Sequence, residues 1–145
     1  VPGPACPGGE ILHASCVAAG GRALLITGAS GSGKSSLALE LMAFGAVLVA
    51  DDRVCLQRVG EAVLASPPPA TRGLIEARFV GLLRAPWAPA PVLAVLDLDR
   101  VEAARLPEPR LIRLLGCDLP LLLRPGHAPF AAAMLQFLKA GSGGQ

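Results

Sequence analysis

Residues 24–41, LLITGASGSGKSSLALEL, form an apolar run that breaks into small residues, sets down one lysine and resumes as an amphipathic pattern. Within it, Gly28-Ala29-Ser30-Gly31-Ser32-Gly33-Lys34-Ser35 fits G-x-x-x-x-G-K-[ST] position for position, with a strand-like segment before it and a helix-like segment after it. The glycines allow successive backbone N–H groups to turn inward as an anion-binding nest, and a helix starting at the lysine aims its positive end at the same spot. Lys34 is placed to bridge phosphate oxygens, and the Ser35 hydroxyl suits Mg²⁺, a hard cation that takes oxygen ligands. The pattern therefore predicts a phosphate-binding site over Gly28, Ala29, Ser30, Gly31, Ser32, Gly33, Lys34, Ser35 and Ser36, with Mg²⁺ beside it. It also predicts an α/β fold, a P-loop-containing domain with a mixed central sheet and flanking helices. Only two lysines, Lys34 and Lys139, stand against eleven arginines, so composition alone gives little reason for a lysine to close a glycine-rich loop.

At 145 residues the chain is one domain's worth, enough to bury roughly 70% of its unfolded surface. A composition 52% hydrophobic and 17% charged excludes a disordered class, and a formal charge of +2 is too small to argue for nucleic acid or an anionic membrane as partner. No apolar stretch approaches the ~18 residues of a membrane span, and the first residues lack the pattern of a secretory leader. A cytoplasmic protein is expected. Cys6, Cys16, Cys55 and Cys117 lie far apart with no C-x-x-C pair, so four free thiols are expected.

Along the chain, ILHASCVAAG and RALLIT read as strands joined at Gly20-Gly21, and residues 35–44 as a helix ending before Gly45. AVLVADD reads as a buried strand and RVCLQRVGEAVLAS as a hairpin turning near Gly60. PPPATRG reads as a loop, LIEARFVGLLR as a short helix or turn leading into a strand, and PVLAVLDLD as a fully buried strand. A further strand pair is expected around Gly116, then a final helix closed by Gly141. Residues 1–10 and 141–145 read as flexible ends around a single domain at 11–140.

Asp51-Asp52 ends the strand VLVA as acids do beside a phosphate loop. One carboxylate can help hold Mg²⁺ and the other can accept a proton from an attacking hydroxyl. Neighbouring strand residues face opposite ways, so both can serve only if the backbone turns there. The plainer reading is a solvated turn.

The combination TGASGSGKSSLALELMAFGAVLVADD, with LHAS upstream and RPGH downstream, resembles the catalytic domain of HPr kinase/phosphorylase, in a short form without the usual N-terminal domain, from about Ile11 to the final helix. The resemblance implies a kinase that phosphorylates a serine of the phosphocarrier protein HPr, or of a paralogue, from ATP or pyrophosphate, and that can phosphorolyse the seryl phosphate with inorganic phosphate. It implies catalytic roles for His13, Lys34, Asp51 as acid/base, Arg124 and His127, and a metal-side set of Ser35, Asp52 and Glu76. It also implies a homo-oligomer. Glu76 and Arg78 match the start of the family's E-x-R-G-x-G signature, and Arg124-Pro125-Gly126 its RPG turn.

Two departures stand out. Phe79 occupies a signature glycine, a change expected to cost stability or to block a contact. His127 stands where many members carry arginine, which weakens the expectation of phosphorolysis. Without the resemblance, His13 reads as a buried histidine on an apolar strand, Glu76 and Arg78 as a solvated strand face, and Arg124 as a surface arginine. Two other functions stay open at this point: a non-enzymatic nucleotide- or phosphate-binding module, and a P-loop kinase of a small metabolite.

Overall fold

The computed structural model describes residues 6–126 and 130–140. The architecture is mixed α/β. In chain order, β1 (Glu10–Leu12), β2 (Ser15–Ala19) and β3 (Arg22–Thr27) lead through the glycine-rich loop to α1 (Lys34–Ala43) and β4 (Val47–Ala50). They are followed by β5 (Val54–Val59), β6 (Ala62–Ser66), β7 (Leu74–Ala77), β8 (Gly81–Arg84), β9 (Ala90–Glu102), β10 (Leu111–Leu114), β11 (Cys117–Pro125) and α2 (Ala131–Ala140).

Nine strands form one curled sheet in the order β1-β5-β6-β9-β3-β2-β4, with β10 and β11 branching from β9. The long strand β9 is the pivot. One of its edges runs parallel to β3, while the other pairs antiparallel with β6 at Ala90 and Pro91 and then parallel with β11 from Val95 onward. Val95 and Leu96, which pair with β3 on one side and β11 on the other, are buried, in keeping with the apolar run of PVLAVL, while Asp97 at the end of that doubly paired stretch is half-buried.

Alternation along the strands divides the core into two layers. Ala23, Leu25, Cys16, Val49 and Val95 point into the curl of the sheet, where they meet Leu56, Val63, Leu121 and Leu123. Leu24, Ile26, Val17, Leu48 and Leu96 point the other way, onto Leu37 and Leu41 of α1 and Met134 and Leu138 of α2. Both helices thus cover one face of the sheet, and the loop between β3 and α1 lies at the end toward which β3, β4 and β9 all run.

Two expectations need correction. Residues 74–84 form an antiparallel ribbon, β7–β8, in register from Leu74↔Arg84 to Ala77↔Gly81, rather than a helix or turn before a strand. Cys6 and Cys55 are joined in a disulfide, so only Cys16 and Cys117 are free thiols, both buried. The cross-link forms because β1 pairs with β5, Ile11 lying opposite Cys55, which brings the preceding turn alongside. No described helix is long and apolar enough to cross a membrane. The expected closing residue of the last helix, Gly141, lies outside the described residues.

Candidate active site

The loop between β3 and α1 is built around an absence of side chains. At Gly28, φ is +152°, and a Cβ there would stand 2.6 Å from Ser32 Oγ and 3.2 Å from Leu98 Cβ. Gly33 precedes α1 in the left-handed region, φ +99°, and the first turn of the helix carries neither a side-chain cap nor an acidic residue. The helix's positive end is left open toward the loop. Ser32 Oγ is buried without a hydrogen-bond partner among the described residues. Lys34 Nζ donates to the carbonyls of Gly28 (2.8 Å) and Ala29 (3.1 Å), arching its charge over the loop.

Two residues brace this loop from behind. Arg124 follows a register shift between Leu123 and Arg124 in the β11–β9 pairing, a bulge of the kind that re-aims a side chain. Its guanidinium donates to Ser32 O (2.6 Å) and Leu98 O (3.0 Å) and lies over the Phe130 ring. Asp99 of β9 accepts from Ala29 N–H through both carboxylate oxygens, each at 3.0 Å. Sequence reasoning missed Asp99. Its signal was the alternation in LDLD, which sends Asp97 and Asp99 to the same face at the end of a buried strand.

Beyond β4 the backbone turns at once, with Asp52 at φ +69°, so adjacent carboxylates reach different places. Asp51 is buried, only 4% exposed, and is held by three donors. The hydroxyls of Ser15 and Ser35 donate to its Oδ1 at 2.6 and 2.7 Å, and the backbone N–H of Glu76 donates to its Oδ2 at 3.2 Å. Asp52 stands in the open, its carboxylate 3.1 Å from His13 Nε2 and 4.0 Å from Arg53 Nε. His13 is 63% exposed, so it is not the buried histidine that an apolar strand would suggest. It sits in the bend between β1 and β2, two residues before Ser15, so that the bend reaches Asp52 and the first residue of β2 reaches Asp51.

Ser35, Asp51 and Asp52 line one side of a cleft of about 640 Å³ whose other side is the β7–β8 ribbon with Glu76, Phe79, Val80 and Leu82. The Glu76 carboxylate makes no hydrogen bond or ion pair with a described residue. Phe79 sits at the ribbon's turn at φ +65° with its ring wholly in solvent. Thus Lys34, Ser35, Asp51, Asp52, Glu76 and His13 come together at one end of the sheet. Arg124 meets the back of the loop, and His127 lies outside the described residues. Ser15, a buried serine in an otherwise apolar strand, is the further site residue that sequence reasoning passed over.

No three His, Cys, Asp or Glu side chains among the described residues converge as a metal cage. The donors present, a serine hydroxyl 2.7 Å from a buried carboxylate, nevertheless fit Mg²⁺, which takes one or two protein oxygens and completes its shell with phosphate and water.

The family model described as the HPr Serine kinase C-terminal domain matches residues 8–86, a stretch that holds the loop, both aspartates, His13 and the β7–β8 ribbon. The HPr kinase/phosphorylase of Clostridium tetani is 43% identical over 75 residues, which are 52% of this chain and 25% of that protein. That of Nitrosomonas europaea is 50% identical over 64 residues, 43% of this chain and 20% of that protein. The chain spans about a quarter of the length of the curated relatives it matches. The solved structure of the Hpr(Ser) kinase/phosphatase from Coxiella burnetii superposes with a TM-score of 0.75 at 22% identity, covering 90% of this chain and 88% of that one. At that identity the likeness is one of fold.

Proposed function

The chain belongs to the HPr serine kinase C-terminal domain family, and from that premise we propose that it transfers a phosphoryl group from ATP or pyrophosphate to a serine of an HPr-like phosphocarrier protein. The observation that carries this reading is the pair of adjacent carboxylates, one buried on the Ser35 hydroxyl and one exposed beside His13 at the mouth of the same cleft. A folded acceptor can bring its serine only to a carboxylate it can reach.

The contacts of the two aspartates favour the reverse of the division of labour expected from the sequence. Asp51, buried and already tied to Ser35, is suited to the metal side, and Asp52 to the proton. Mg²⁺ held by Ser35 and Asp51 would supply charge stabilisation across the phosphate oxygens. Lys34 leaves the carbonyls of Gly28 and Ala29 for the phosphates, and the loop N–H groups and the start of α1 hold the same oxygens. Asp52, oriented by His13, accepts the proton as the serine oxygen bonds to phosphorus and the bond to the leaving phosphate breaks. In phosphorolysis the same carboxylate returns that proton to the seryl oxygen as inorganic phosphate takes the phosphoryl group. The Glu76 carboxylate is available to the metal's water shell. Arg124 keeps the loop in shape.

The test is transfer of labelled γ-phosphate from Mg-ATP to an HPr-like protein. Asp52→Asn is expected to lower turnover by about 10²-fold or more with Mg-ATP binding retained, whereas Asp51→Asn is expected to weaken Mg-ATP binding itself. Binding of Mg-ATP with no transfer by the unaltered protein would overturn the reading in favour of a binding module.

A further inference from the structure

At the open end of the β7–β8 ribbon, away from its Phe79 turn, lies a shallow hollow of about 340 Å³, open to solvent and lined by Arg72, Gly73, Arg84, Ala85, Pro86 and Trp87. It shares no lining residue with the Ser35–Asp51 cleft. Two arginines face it and no acid does. Neither Arg72 nor Arg84 makes an ion pair or a side-chain hydrogen bond with any described residue, whereas Arg58, Arg100, Arg110, Arg113 and Arg124 all do.

The walls are built rather than loose. Ala85 N–H donates to Gly73 O at 2.8 Å, which closes the base of the ribbon. Trp87 is bridged to Leu48 of β4, and the next residue, Ala88, donates to Leu48 O at 3.0 Å. The indole lies so close to Gly73, at φ +69°, that a Cβ there would meet Trp87 Cδ1 at 2.9 Å and Ala85 O at 3.1 Å. Arg72 in turn sets its guanidinium over the indole, 5.6 Å from the ring centre, a stacking that orients the planar fork while leaving its edge N–H groups free. Arg84 comes from the cleft face of the ribbon, the face that also carries Leu74, Glu76 and Leu82, because Leu74↔Arg84 and Glu76↔Leu82 are cross-strand pairs two residues apart.

We propose that this pocket is a binding site for a small phosphate-bearing molecule, held between the Arg72 and Arg84 guanidiniums against the edge of Trp87. Guanidinium forks match the tetrahedral phosphate in charge and geometry. The ligand sits at the end of the β7–β8 ribbon opposite its Phe79 turn and does not enter the Ser35–Asp51 cleft. The inference does not depend on the phosphotransfer reading.

Trp87 is the chain's sole tryptophan and there is no tyrosine, so its fluorescence reports this pocket directly. The full chain would be titrated with tripolyphosphate in the absence of divalent metal, with chloride at matched ionic strength as the comparison. A saturable change with tripolyphosphate and none with chloride is expected, and it should persist in Lys34→Ala. The double variant R72Q/R84Q, checked for folding by circular dichroism, should weaken the apparent affinity about tenfold or more, as expected from loss of charge-assisted hydrogen bonds. Absence of a saturable change in the unaltered protein would overturn the proposal, as would equal responses to both salts. So would a response that survives in R72Q/R84Q, or one lost in Lys34→Ala, which would put the anion on the glycine-rich loop. Mg-ATP binding measured by calorimetry should be unchanged in R72Q/R84Q, which separates this site from the cleft whatever the fate of the kinase reading.

Discussion

Ser15 and Phe79 show what single residues contribute around the cleft, one by what it satisfies and the other by what it strains. Ser15 is fully buried and its hydroxyl donates to Asp51 at 2.6 Å. A buried carboxylate depends on every donor it has. Ser15→Ala is expected to cost about 1.5–3 kcal/mol of stability, the range for a hydrogen bond to a charged group, read from urea unfolding, and Ser15→Thr should recover part of it. Phe79 has the opposite balance. A non-glycine residue in the left-handed region costs about 1–2 kcal/mol, the glycine that relieves it costs roughly 0.5–1 kcal/mol in chain entropy, and a ring wholly in solvent gives up no packing. Phe79→Gly should therefore raise the thermal midpoint by a few degrees. A lowered midpoint would mean that the ring makes a contact within the fold.

At the scale of elements, the cross-link between Cys6 and Cys55 does what a three-residue strand cannot. β1 pairs with β5 through Glu10, Ile11 and Leu12 alone, yet it delivers His13 to Asp52. The bridged cysteines are 49 residues apart, a loop for which chain entropy predicts about 4 kcal/mol and typical bridges give about 2–4. Cys55→Ser should lower stability by that order, and hydrogen exchange at the β1 amides should rise more than in the rest of the sheet. The same elements show why part of the fold was legible in the sequence and part was not. The strand, loop and helix over residues 22–43 could be read because the glycines, the lysine and the apolar period point to one geometry. The disulfide could not, since cysteine spacing says nothing of which strands will lie side by side. The β7–β8 ribbon was obscured because its turn falls at Arg78-Phe79-Val80, with a phenylalanine where turn chemistry calls for glycine or asparagine. The two aspartates could be found from sequence, but not which of them is buried, because that depends on the left-handed turn at Asp52 and on Ser15 arriving from another strand.

For the molecule as a whole, the inner layer of the core carries a titratable group at its centre. Cys16 lies between Leu25 of β3 and Ala50 of β4, with no exposed surface. Burial pushes its thiol far above the ordinary cysteine range. The folded state therefore keeps a proton that the unfolded chain gives up from about pH 8.5. With more protons bound in the native than in the unfolded state, stability falls as pH rises past that point, by about 1.4 kcal/mol per pH unit for one group, and is unaffected by Cys16 below it. The absence of tyrosine and the presence of only two lysines leave few other groups to titrate in that window. Denaturant unfolding between neutral pH and pH 10 should show this alkaline loss in the unaltered protein. Cys16→Ala should start lower at neutral pH, because a small void replaces the sulfur, yet decline less steeply, so that the two curves converge. Parallel curves would show that the alkaline loss arises elsewhere and that the core opens without Cys16 ionising.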